Sequence, residues 1–310
     1  MSDLTPTLPR RNGWRILREN PITVKELRSR MRGRRAFVVL TVYVLVMSLF
    51  IGLIYLAYAS AANQPYGPDP RQAGKVVFAA VLGIEAFLAT FIAPAFTAGA
   101  ITGEKERQTY ELLRTTLLPA NWFVVGKLLS ALSYVLLLIV ASVPLQSIAF
   151  LLGGISIEEL VIGQLLIVAA ALLFAVYGLF CSAALRSTLA ASVVAFGGAI
   201  FLTIGLPVVV FTIIGFSGPF LFGSASLSWL GEMLLMYAGL FVASLNLPAS
   251  LIVSEIILLE ENSLFFFKDT FSGHTAWFFS PWMLTLVLYT LLSWLLYWLT
   301  VRRIRKIAEK

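Results

Sequence analysis

The chain has one cysteine and one histidine, Cys181 and His274, in 310 residues. A single cysteine excludes an intrachain disulfide, and with one histidine no Cys/His metal site can form. Charge is scarce too: only 13% of residues are Asp, Glu, Lys or Arg, against about 25% in a typical soluble chain. At 59% hydrophobic and a mean hydropathy of +0.89, there is too little polar surface to cover a water-soluble globule. The solvent must largely be lipid, which excludes an ordinary cytosolic enzyme and a secreted domain. The sequence also lacks any Gly-x-x-x-x-Gly-Lys-Ser/Thr loop, and so any recognisable phosphate cradle. His274 has no identifiable carboxylate and nucleophile partners, so no Ser/His/Asp triad can be argued.

What is present is a series of long apolar runs. Residues 1–35 are polar and basic, with ten Lys/Arg against Asp3, Glu19 and Glu26. Ala36–Ser60 follows, roughly 37 Å as a helix and long enough to cross a bilayer. It is too long for a cleavable signal core and is expected to be a retained first span. Val76–Ile101, Leu128–Leu152, Leu160–Leu185, Leu189–Phe216 and Pro281–Val301 bring the count to six. Leu227–Leu259 is also apolar, but Asn246-Leu247-Pro248 interrupts it. Proline removes a backbone donor and clashes with the preceding turn, so two half-helices are expected there.

Charge decides the topology. With six spans and a cytoplasmic N-terminus, segments 1–35, 102–127, 186–188 and 302–310 lie inside and carry twenty Lys/Arg. Only Arg71, Lys75 and Lys268 lie outside, a strong positive-inside bias. A seventh span through 227–259 would put the basic tail 302–310 on the wrong side. That segment is therefore expected as a re-entrant or surface-lying hairpin on the outer face, buried against protein. Trp282 and Trp298, near the two ends of the last span, fit an aromatic belt. The net charge of +7 is then a topology signal, not a nucleic-acid footprint. The expected fold is an all-α integral membrane protein of six transmembrane helices. Its parts are a basic segment 1–35, a membrane domain 36–301 and a basic tail 302–310.

Two cytoplasmic segments invite a role. Asn20 is a good N-cap and Pro21 suits the first helical position. Val24, Leu27 and Met31 fall on one face, with Lys25, Arg28, Arg30, Arg32, Arg34 and Arg35 around them. This reads as an amphipathic basic helix on the inner leaflet, or as a plain topology signal. Between spans two and three runs Thr102-Gly103-Glu104-Lys105-Glu106-Arg107-Gln108-Thr109-Tyr110-Glu111-Leu112-Leu113-Arg114. Glu106 with Tyr110, and Glu111 with Arg114, can face each other on a helix, and Tyr110, Leu113 and Leu117 form a narrow apolar stripe. A short cytoplasmic helix over 103–118 is expected, ordered by a soluble partner or by the lipid surface.

The run 103–119, followed by Gly126-Lys127-Leu128-Leu129, resembles the type-2 ABC transporter permease family. So do Asn20-Pro21…Lys25-Glu26-Leu27-Arg28 and Leu179–Ala191 at the junction of spans four and five. The resemblance implies a transmembrane subunit that dimerises, with a second copy or a related permease, and works with separate ABC ATPase subunits that bind ATP and Mg. It also implies export across the inner membrane of a prokaryote, with no cofactor in this chain. By position, Pro21–Arg35 and 104–117 are the family's ATPase-contacting helices, and Leu227–Leu259 is the outer hairpin that caps the pathway. Glu104, Glu106 and Thr109 match the family's Gly-Glu-x-Glu…Thr core, where many relatives have Gly in place of Gln108. Lys25, Glu26, Glu104, Glu106, Arg107, Thr109 and Glu111 are the coupling residues this implies.

Inside the membrane, Glu85 stands about 15 Å from the outer start of its helix. An ionisable residue there faces a bundle interior or a wet cavity. It either lines the transport path or binds a cation, or it makes a protonated or hydrogen-bonded interhelix contact. Pro94 on the same helix is a gate or a passive kink. Gln146 and Gln164 are candidate interhelix hydrogen-bonders. Gly197-Gly198 and the small residues Ser187–Ser192 permit close helix packing, such as a dimer seam. His274 is expected on an outer loop and Cys181 as a small apolar filler. Two other classes compete with the permease: an ATP-independent secondary transporter or channel, and an integral-membrane enzyme. The first would show matching helix breaks in both halves, and only Asn246–Pro248 is found. The second needs a polar cluster near one interface, for which Glu85 alone is a poor candidate.

Overall fold

The computed structural model describes residues 34–62, 73–108, 119–153, 155–222, 228–261, 263–271 and 273–308. The basic helix expected at Pro21–Arg35 falls almost wholly outside the described residues, Lys25 and Glu26 with it.

Six helices are long and apolar enough to cross a membrane. They begin with α1 (Arg34–Ala62) and α2 (Ala73–Thr97), and α2 passes through Pro94. A short α3 (Thr102–Glu106) follows before α4 (Ala120–Leu152). Next is α5 (Ile157–Ala184). The fifth span is composite: α6 (Thr188–Ile200), a π-helical turn (Phe201–Gly205) and α7 (Leu206–Phe222). The sixth, α10 (Pro281–Ala308), extends past the expected boundary at Val301, so 302–308 continues the helix rather than forming a separate tail.

The third span starts at Ala120, earlier than the expected Leu128. Lys127 sits inside that helix and is buried, because Glu104 neutralises it. Hydropathy alone stops at the lysine; the ion pair lets the helix run through it. Elsewhere local chemistry sets the ends. Ser156 caps α5 in a capping box, accepting from the Glu159 amide while the Glu159 carboxylate accepts from the Ser156 amide.

Spans two and four form the middle of the bundle. Ala86, Ala89 and Ala93 of α2 and Ala169, Ala170, Ala171 and Ala175 of α5 are all buried in one core. Small residues allow the backbones to approach closely, which suits a solvent that gives no hydrophobic drive between helices. At Gly178 the approach is close: a Cβ there would meet Pro94 Cα at 2.9 Å. Spans one and five border this core. In α6 only Ala191, Ala195 and Ala199 are buried, one stripe at four-residue spacing. Ala195 packs with Ala98, Tyr177 and a buried Cys181, a small filler in that seam.

The segment before span six breaks where expected, into α8 (Trp229–Leu245) and α9 (Leu247–Glu261). Asn246 stands between them in an extended conformation and accepts from the Ala249 amide at 2.9 Å, capping α9. An antiparallel β-hairpin, β1 (Phe266–Phe271) and β2 (His274–Phe279), then leads into span six. Hydropathy gives no sign of it. One face packs Phe267 and Phe278 against Leu240 and Ile257 of the two half-helices. His274 lies at the start of β2, stacked on Trp229 with ring centroids 4.6 Å apart. Trp282 donates to the Leu264 carbonyl at 2.7 Å, fixing the base of this hairpin to span six.

Candidate functional site

The helix that opens the family-like motif is one turn long. It stops at Glu106, Arg107 follows, and Gln108 takes φ 57, the left-handed region. The helix expected over 103–118 is therefore not continuous across 107–108, since a left-handed residue cannot extend a right-handed helix. Thr109 and Glu111 lie outside the described residues. A glycine would adopt this φ at no steric cost.

The charged side chains of this turn reach three other spans. The Lys127 ammonium of span three donates to Glu104 Oε1. Lys105 Nζ donates to the Ser182, Ala183 and Leu185 carbonyls at 3.3, 3.1 and 3.1 Å, at the C-terminus of span four. Those carbonyls have no intrahelical partner and sit at the negative end of the helix dipole, so a cation suits them. Glu106 does the converse at the N-terminus of span five. Its Oε1 accepts from the Thr188 amide at 2.7 Å, and both oxygens accept from the Thr188 hydroxyl. A carboxylate there meets unpaired N–H groups and the positive end of the dipole.

Two further contacts close the joint. The Ser182 hydroxyl accepts from the Ile101 and Thr102 amides at 2.9 and 3.0 Å. Arg303 of span six donates to the Ala184 carbonyl at 3.0 Å. The end of span two is thus clasped to the elbow between spans four and five, and span six reaches the same elbow. Arg107 is exposed and takes no part in these bonds.

Sequence spacing could not reveal this convergence. Glu106 and Thr188 are far apart in the chain, and no periodicity links them. Ser182 and Arg303 were absent from the expected site for the same reason. The one available signal was that the runs 103–119 and 179–191 both resemble the same family.

A second polar cluster lies within the bundle. Glu85 is fully buried. Its Oε1 accepts from the Ser142 hydroxyl and from Gln146 Nε2 at 2.8 Å, and its Oε2 from Gln164 Nε2 at 2.7 Å. Both glutamines expected to bond between helices converge on this one carboxylate. Gly198, by contrast, faces Tyr177, whose hydroxyl would stand 2.2 Å from an added Cβ, while Gly197 faces open space.

A third junction holds the middle of span five. The π-helical turn shifts the hydrogen-bond ladder, and Asn246 Nδ2 donates to the Leu202 and Thr203 carbonyls there at 2.8 and 3.0 Å. The same break is tied to span six: Tyr289 donates to the Leu245 carbonyl at 3.1 Å, and the Ser250 and Thr285 hydroxyls bond at 2.6 Å.

A family model described as ABC-2 family transporter protein matches residues 21–227, from the basic segment through span five. No curated protein matches the chain. The match covers two-thirds of the sequence, and six membrane-length helices accompany it. The family consists of membrane subunits that partner ABC ATPases. The chain belongs to the ABC-2 transporter family and is a multi-pass membrane transport subunit of an ABC transporter.

Proposed function

We propose that this chain couples ATP hydrolysis on separate ATPase subunits to outward movement of a cargo, and that the clasp at 101–106 is its transmission joint. The observation that carries the reading is the joint itself. Glu104, Lys105 and Glu106 spend their charges on the ends of spans three, four and five. Arg107, exposed at the next position, is left for a partner, together with Thr109, Glu111, Lys25 and Glu26. A push on this loop would move span two and the elbow at 182–188 as one piece.

In this reading the loop and both ends of the chain face the cytoplasm of a prokaryote, as the twenty-to-three split of Lys/Arg supports. The segment 1–35 lies on the inner leaflet. The broken helix 227–259 enters from the outer face to cap the path, its break reaching the middle of span five and span six. Two copies, or one copy and a related permease, enclose the path. ATP and Mg belong to the partner, and this chain supplies no catalytic residue.

The test begins with a mild-detergent pull-down of the tagged chain from its native membranes. A P-loop ATPase in about equal amount is expected, and Arg107→Glu should reduce it. Glu104→Lys should leave the ATPase bound but stop ATP from moving a spin label on span five. The swap Glu104→Lys with Lys127→Glu should restore that movement, because the pair is internal. A chain that comes down alone across several detergents would overturn the proposal in favour of an ATP-independent transporter or channel.

A further inference from the structure

The Glu85 cluster draws on four spans: Tyr43 from the first, Glu85 from the second, Ser142 and Gln146 from the third, Gln164 from the fourth. The Tyr43 hydroxyl is buried beside Glu85 and Ser142. Three neutral donors meet the carboxylate. Among the described residues the ion pairs are Lys75 with Glu255 and Lys127 with Glu104, and neither involves Glu85. Among the described residues, Tyr43 is the titratable group that faces it from the packed spans. Gln146 is itself fully buried, and its amide oxygen has no hydrogen-bond partner.

Neutral donors soften the burial of an anion but do not cancel its charge, and an uncompensated carboxylate at membrane depth is costly. An orphaned amide oxygen in the same cluster is a second acceptor without a positive partner. Both faults have one remedy, a positive charge small enough to fit among oxygens. Turning the Gln146 and Gln164 amides by half a turn exchanges N–H for oxygen and presents ligands in place of donors.

We propose that the Glu85 cluster is a binding site for one small monovalent cation from the aqueous phase, a proton or Na+. Glu85 is its anionic ligand, and Ser142, Gln146, Gln164 and Tyr43 are the neutral oxygens around it. Because the ligands come from four spans, loading the site draws those spans together, and losing the cation loosens them. The inference requires only the membrane placement of the chain and stands apart from ATP coupling at the 101–106 joint.

The test uses the purified full chain in nanodiscs of neutral lipid. Thermal unfolding is followed while NaCl replaces choline chloride at constant ionic strength, over a series of pH values. If Na+ is the cation, the midpoint rises with Na+ at fixed pH; at a hundredfold excess over Kd the folded-to-unfolded ratio rises about a hundredfold. If it is a proton, the midpoint is indifferent to Na+. Stability is then highest at low pH and is lost as pH rises through the ionisation of Glu85.

In either case Glu85→Gln removes the response. Gln146→Leu, which keeps the acid and deletes a neutral ligand, shifts it to higher Na+ or to a different pH. Equal responses in wild type and Glu85→Gln overturn the site. Should Glu85→Gln fail to fold, an unchanged response in Gln146→Leu overturns it equally.

Discussion

Asn246 offers a direct test of how span five is held. Its amide nitrogen donates to two carbonyls of the π-helical turn, and its oxygen caps the first turn of α9. Asn246→Ala removes all three bonds. A lost N-cap costs about 1 kcal/mol. Interhelical hydrogen bonds within membranes average about 0.6 kcal/mol each, so the two to Leu202 and Thr203 contribute about as much again. The expected loss is therefore about 2 kcal/mol, or a fall in Tm of about 3 °C for a chain of 310 residues. Asn246→Asp should be worse than alanine in its effect on span five. It keeps the cap oxygen but turns an acceptor toward two part-buried carbonyls. The assay is thermal unfolding in nanodiscs, combined with hydrogen exchange at 201–206. Faster exchange there in both variants is expected. If Asn246→Ala leaves Tm and exchange unchanged, the junction carries no energy and the reasoning fails.

Three smaller perturbations probe the packing. Gly178→Ala places a Cβ 2.9 Å from Pro94 Cα and 2.2 Å from Thr97 Oγ1, and overpacking of this kind should cost about 1–3 kcal/mol in unfolding experiments. Gln108→Gly relieves a left-handed φ of 57 and should slow hydrogen exchange at 102–107, by the equivalent of about 1 kcal/mol. Ser156→Ala breaks the capping box of span four and should lower stability by about 1 kcal/mol, read as a shift in Tm.

The apolar runs made the spans legible because membrane solvent demands about 20 apolar residues for each crossing helix. Their ends were less legible wherever charge is internally compensated. Lys127 looks like a boundary until Glu104 is seen beside it. The break at Asn246–Pro248 was readable from proline chemistry, whereas the π-helical turn has no side-chain signature. The β-hairpin left little trace, since the alternation in β1 sets Phe266, Lys268 and Thr270 against Phe267, Asp269 and Phe271, a charged residue on each face, ahead of Gly273, whose φ is 86. A run of aromatics in a membrane sequence hides that alternation. Glu85, Gln146 and Gln164 each stand out in the sequence as polar at membrane depth. Their meeting at one point is a property of helix register, which hydropathy does not encode. The inward direction of the motif's charges was illegible for a similar reason, since Thr188 and Ser182 come from another part of the chain.

Span five shows why that direction matters. Few of its residues are buried, so it is held chiefly at its N-terminus, along the Ala191, Ala195 and Ala199 stripe and at the π-helical turn. At its N-terminus the holding contact is Glu106 with Thr188, and both partners reach solvent, which screens the charge. Helix capping and the dipole together then give about 1 kcal/mol for the contact. That is small against the stability of the protein and large enough to decide whether span five follows the loop. Glu106→Gln and Thr188→Ala should each leave the fold intact and each reduce the ATP-driven displacement of a label at Val193. The double variant should lose less than the sum of the two, because Thr188→Ala removes the hydroxyl bonds that Glu106→Gln weakens, while the Thr188 amide still has an oxygen to donate to in each. A double-mutant cycle measures this, with a coupling of 0.5 kcal/mol or more expected for a direct pair. Additive losses would mean that Glu106 acts on the ATPase itself. The clasp would then be a passive support, and span five would have to be moved by another route.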